Sequence, residues 1–159
     1  MYPLPWYGIL LISVPQTLLV IELGFGLFGL NLDLKKALLV AFIAGFITYF
    51  LRQSSVAFGL HTIILIITVA FLVTVIAHTD ILHSLAASLL GFMLLGVIEG
   101  VCLPLFLKMT SKTVRDLALH PGLNILAFVP VLLIALALFI LIRRNNFVIY
   151  DLEEGTDQI

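Results

Sequence analysis

Charge is what this chain has least of. Lysine and arginine number 8 and aspartate and glutamate 9 in 159 residues, so 11% of the chain is charged. A soluble domain carries roughly 25%. The net charge of -1 provides no basic surface for a nucleic acid. There is one cysteine, Cys102, which excludes an intramolecular disulfide and a cysteine-based zinc site. The amino-terminal MYPLPWYG has no lysine or arginine, so the first apolar stretch does not read as a cleaved signal.

What is abundant is apolar. Hydrophobic residues make up 62% of the chain, and the mean hydropathy is +1.25. No soluble core of this size needs so much apolar surface, so lipid is the expected solvent for most side chains. The expected fold is all-α: a polytopic transmembrane helix bundle over residues 1–144, followed by an acidic tail over 145–159. Apolar runs place about five spans near residues 8–30, 37–51, 56–77, 84–107 and 123–142. The second run is only 15 residues, roughly 22 Å as helix against a hydrocarbon core of about 30 Å. It either snorkels its flanking Lys35, Lys36 and Arg52 to the interfaces or forms a re-entrant hairpin, leaving four full spans.

The fourth run, SLAASLLGFMLLGVIEGVCLPLFL, organises the rest. At about 100° per residue, Ser84, Ala87, Ser88, Gly91, Leu95, Glu99 and Cys102 share one side. Small residues let helix backbones approach closely, which makes Ser84, Ala87, Ser88, Gly91, Gly96 and Gly100 the expected packing positions of a hub helix. Ala37, Ala41 and Gly45 form a second stripe of the same kind. The fifth run is almost purely aliphatic and reads as the most lipid-exposed.

Ionisable groups at depth are costly and mark function or helix pairing. Successive crossings put His61, Arg52, Glu99 and Cys102 in one half of the membrane. Glu22, His78, Asp80 and His83 fall in the other. One polar cluster would join Glu99 to His61 and Arg52, and a second would join Glu22 to His83 or a lysine. His78, Asp80 and His83 are metal-capable types, but with no fourth ligand evident no metal site is expected. Cys102 with His61 is the only pair that would suit a membrane-embedded cysteine hydrolase, at a spacing matching no defensible motif. Residues 24–29, GFGLFG, fit G-x-G-x-x-G, yet they end an apolar span and lead into NLDLKK, so a dinucleotide site is rejected and no cofactor is expected. Val114, Leu117 and Ala118 have the spacing of a short amphipathic helix at the interface.

Positive charges do not orient the chain. Lys35, Lys36, Arg143 and Arg144 fall on one side and Arg52, Lys108, Lys112 and Arg115 on the other.

Residues 46–68, FITYFLRQSSVAFGLHTIILIIT, resemble a pattern in the membrane regions of Firmicutes sensor proteins: a short span ends in a basic residue, and Phe-Gly-X-His-Thr opens the next. The resemblance is to the multi-span sensor regions of accessory-gene-regulator-like histidine kinases. It implies a bacterial cell-membrane module with a cytoplasmic carboxyl terminus and a separate signalling partner, since no kinase domain is present.

Three functions are compatible with these features. The leading expectation is a non-enzymatic integral membrane protein acting by helix packing, either self-association into a homo-oligomer, even an ordered membrane assembly, or association with a partner protein. Phe147, Val148, Ile149 and Tyr150 of the tail would then contact a neighbouring copy. A stand-alone sensor or accessory module would hold a small hydrophobic or peptide ligand in a cavity lined by Glu99 and His61. A small transporter subunit would pass its cargo by Glu22 and Glu99, though no inverted repeat is visible.

Overall fold

The computed structural model describes residues 7, 9–30, 32–53 and 58–145. Among these, all regular structure is helical. A π-helical turn, Ile9–Ser13, runs directly into α1 (Val14–Leu27). It is followed by α2 (Leu34–Gln53), α3 (Phe58–Ala77), α4 (Ile81–Thr110), a short α5 (Val114–Leu119) and α6 (Pro121–Arg144). The helices α2, α3, α4 and α6 are each long and apolar enough to cross a bilayer. With α1 beside them they form an all-α bundle of about five spans, the architecture of a multi-pass membrane protein.

Local chemistry sets the helix ends. Pro15 has no N–H for the carbonyl of Leu11, and its ring crowds that carbonyl. The chain widens to a π-turn just before it, and the Thr17 hydroxyl donates to the Ser13 carbonyl at 2.9 Å. At the other end of α1, Gly29 takes φ 72°. The Leu30 N–H then reaches the Phe25 carbonyl at 3.0 Å and the Gly29 N–H the Gly26 carbonyl at 3.3 Å, a Schellman closure. The helix therefore stops at Leu27, short of the expected residue 30.

The second span is the clearest difference from the sequence reading. Its 20 residues, Leu34–Gln53, form one continuous helix, roughly 30 Å long, with Lys35 and Lys36 in its first turn. The helix absorbs the flanking charges, so the hairpin alternative does not occur. The fourth span is longer than expected, 30 residues or roughly 45 Å. Asp80 caps its start by accepting the Leu82 N–H at 2.9 Å, and Ser111 closes it at φ 52°.

Two helices share the centre. α4 packs against α1, α3 and α6, while α1 packs against α2, α4 and α6. Around α1 the side chains of Val20, Ile21, Leu23 and Phe25 are almost fully buried on every face. The hub expected of α4 alone is therefore an α1–α4 pair. Nor is α6 the most exposed span: 28% of it is buried, against 17% of α4. Because α4 crowds its contacts onto one narrow stripe, the rest of its surface stays open.

The short α5 begins with a capping box, in which the Thr113 hydroxyl accepts the Asp116 N–H while Asp116 accepts the Thr113 N–H at 2.7 Å. Leu117 is buried, but Val114 is exposed. The Thr113 backbone bond, then its hydroxyl bond at 2.8 Å, hold the Asp116 carboxyl below the usual aspartate range. A depressed folded-state value means that the cap contributes fully above the ordinary aspartate range and is lost as pH falls through the folded value. Acidification through that range is expected to weaken the α5 helix first, seen as loss of helical NMR shifts at residues 114–119. Asp116→Asn should remove the pH dependence.

Candidate functional site

The site is built on the α1–α4 contact. Small residues bring the two backbones together. A Cβ added to Gly24 would collide with the Ala87 carbonyl oxygen and sit 3.1 Å from the Gly91 nitrogen. One added to Gly91 would collide with the Val20 carbonyl oxygen. Ser84, Ala87 and Ser88 are fully buried on the same stripe. Gln16 lies level with Glu99, Val20 with Gly91, and Gly24 with Ala87, so the pair runs antiparallel.

Towards the start of α1 the pair parts, and α6 fills the third side. Here Gln16 Nε2 donates to Glu99 Oε1 at 2.6 Å. The bond borders a cleft of about 150 Å³ lined by Ile12, Gln16, Glu99, Leu103, Asn124, Ala127, Phe128 and Val131. Its floor is apolar: Ile12, Ala127, Phe128 and Val131 are buried. The three polar side chains are half-buried at its edge. A carboxylate at this depth is stabilised by a donor held in place by packing. Gln16→Ala is expected to destabilise the protein by about 1–2 kcal/mol through loss of that donor. Gln16→Glu should be worse, since it sets two carboxylates together; urea unfolding in mixed micelles would read both.

The expected residues fall into several places. Glu99 borders the cleft with Gln16 and Asn124. His61 is buried in the first turn of α3 and is not among the residues lining the cleft. From α6, Asn124, Ala127, Phe128 and Val131 line the cleft beside Glu99. Arg52 lies in the last turn of α2, and its side chain lies outside the described residues. Glu22 is half-buried on α1. The Arg143 guanidinium lies 5.8 Å from the centre of the Phe139 ring.

Cys102 is buried in the apolar cluster of α1, α4 and α6 with Ile12, Phe128 and Val131. Among the described residues, no three metal-capable side chains gather, and Asp80 of the expected H-x-D-x-x-H turn serves as a helix cap. Ala37, Ala41 and Gly45 are buried, with Ala37 packed beside Ile21 and Phe25 of α1 and Ala41 beside Val14. Gly96 and Gly100 differ: both are exposed, and a Cβ at either would meet nothing within 4 Å. Among the described residues nothing packs against them, because they lie on the side of α4 away from the buried stripe. Phe147, Val148, Ile149 and Tyr150 lie outside the described residues.

Gln16, which bonds Glu99, and Asn124, which lines the same cleft, are the residues that the sequence does not single out. Gln16 stood out only as a polar group near Pro15, and Asn124 is the one amide in an aliphatic span.

No family model, curated protein or solved structure matches this chain.

Proposed function

We propose that the chain is a non-enzymatic protein of the bacterial cell membrane that acts by associating, through the open face of α4, with a second copy of itself. One observation carries this reading. Gly96 and Gly100 stand four residues apart on an exposed face, with Val97 and Val101 beside them at 67% and 64% exposure. Within a bilayer there is little hydrophobic drive between helices, so close backbone approach at Gly-x-x-x-Gly is a main source of affinity. The same chemistry already joins α1 to α4 at Gly24 and Gly91. The resemblance of residues 46–68 to sensor membrane regions supports a signalling setting, with the carboxyl terminus cytoplasmic and the output supplied by a separate protein.

Energy transfer between donor- and acceptor-labelled copies in dilute liposomes tests the reading. Wild type is expected to associate, and Gly96→Ile with Gly100→Ile to weaken association about tenfold or more while leaving the protomer helical. Absence of transfer in the wild type, or transfer unchanged in the double variant, would refute it.

A further inference from the structure

Between α4 and α6 the chain turns through an elbow that neither the cleft nor association uses. α4 has 30 residues, roughly 45 Å, against a hydrocarbon core of about 30 Å, so its ends stand beyond the core. At its carboxyl end Lys108 follows directly on the apolar run that closes at Leu107. The elbow is held by backbone bonds. The Ser111 and Lys112 N–H groups both reach the Leu107 carbonyl, the latter at 3.1 Å. The capping box then starts α5, which packs against α6 with Leu117 buried.

The outer surface of this elbow mixes two chemistries. Lys108, Lys112 and Arg115 are all exposed. Among them in the chain stand Met109 at 79% exposure and Val114 at 66%, with Leu119 exposed as well. We propose that the elbow lies in the headgroup layer and binds anionic phospholipid, with the three cations on the phosphates and Met109, Val114 and Leu119 in the upper acyl region.

Two opposed costs select that position. Cations are expensive at hydrocarbon depth, which keeps the elbow out of the core. Large apolar side chains exposed together are unfavourable in water, which keeps it from standing free of the membrane. A boundary with phosphates above and acyl chains below satisfies both. Charge selects the lipid. Residues 108–120 carry three cations and a single acid, Asp116. Asp116 Oδ2 accepts the Thr113 N–H at 2.7 Å and its hydroxyl at 2.8 Å, so this carboxylate is engaged by the cap. The remaining positive charge matches an anionic headgroup better than a zwitterionic one. A soluble anion would leave Met109, Val114 and Leu119 uncovered.

The test uses the full chain at one protomer per phosphatidylcholine nanodisc, so association through α4 does not enter. A small fraction of the lipid carries a spin label near the top of its acyl chain. It is phosphatidylglycerol in one sample and phosphatidylcholine in the other, and amide relaxation enhancement is read at residues 108–119. One basic group near an anionic surface is worth roughly fivefold in local enrichment. Enhancement is therefore expected to be at least about fivefold larger with phosphatidylglycerol. Combining Lys108→Gln, Lys112→Gln and Arg115→Gln should bring it to the phosphatidylcholine level. So should salt at about 1 M, which screens charges beyond roughly 3 Å. Met109→Ser with Val114→Ser keeps the cations and should lower the enhancement from both lipids.

Equal enhancement from the two lipids, no enhancement from either, or a preference that survives both salt and the triple variant would overturn the proposal. Displacement of the labelled phosphatidylglycerol by an equal concentration of free glycerol phosphate would also overturn it, by making this a soluble-anion site. The salt comparison needs no variant, so it decides the question even if a variant fails to fold.

Discussion

Alanine at Gly91 is expected to cost the protein about 3 kcal/mol, the upper end of the range for overpacking a well-packed core. The added methyl would collide with the Val20 carbonyl oxygen and lie 3.1 Å from a Val20 methyl. Backbone cannot swing aside as a flexible side chain can, so α1 and α4 must separate along their whole contact. That separation also loosens the buried stripe of Ser84, Ala87 and Ser88. Gly24→Ala should behave alike, and because both act on one contact the double variant should cost less than the two added together. Gly26 supplies the control. It lies on the same helix, a Cβ there would meet nothing within 4 Å, and alanine should gain roughly 0.5–1 kcal/mol of helix propensity. Circular dichroism during urea unfolding in mixed micelles reads all three. A neutral Gly91→Ala would mean that the two helices do not touch as described.

Phe25→Ala is expected to cost about 3–5 kcal/mol, at the low end of that range if lipid chains relax into the space. Phe25 is 1% exposed and sits where α1, α2 and α3 converge, among Ile21, Val40, Val69 and Val73. Truncating it removes dispersion contacts from three helices together. Its carbonyl also accepts the Leu30 N–H that closes α1, and Leu30 packs on the same cluster. The loss should therefore spread to the α1–α2 turn, raising amide exchange at Phe28–Leu30. Phe25→Leu restores most of the volume and should recover more than half of the loss. Phe46, 55% exposed on α2, is the comparison: its truncation should change stability by less than about 0.5 kcal/mol.

Much of the fold was legible because a bilayer imposes a simple rule. Backbone polar groups in lipid must be satisfied within the segment, so a long apolar run becomes a helix whatever surrounds it. This is why the runs near 56–77, 84–107 and 123–142 emerge as α3, α4 and α6. The second span was harder to read because its ends are charged. Hydropathy stops at Lys36 and Arg52, whereas the helix continues through both.

Site residues were legible to a different depth. The inward stripe Ser84, Ala87, Ser88 and Gly91 follows from helical spacing alone, and burial finds all four inside. Gly96 and Gly100 are chemically the same type, yet they face outward. Composition marks a glycine as able to pack closely, but only the helix phase relative to its neighbours decides whether anything arrives to pack against it. Glu99 is marked by its cost in lipid, whereas its bond to Gln16 depends on how α1 and α4 pack.

The sequence by itself determined that these segments are helices, that they cross a bilayer, and that a carboxylate lies deep within one of them. Those properties depend on each residue's own transfer energy and on a period of about 3.6 residues, both local quantities. Only the tertiary structure decided that Glu99 meets Gln16 and that Asn124 and Phe128 complete a cleft beside it. Every pairing of two spans in lipid exchanges one apolar surface for another at little net cost. The choice among pairings therefore rests on shape, on where a missing side chain at Gly24 or Gly91 lets two backbones touch, and shape is a property of the assembled helices together.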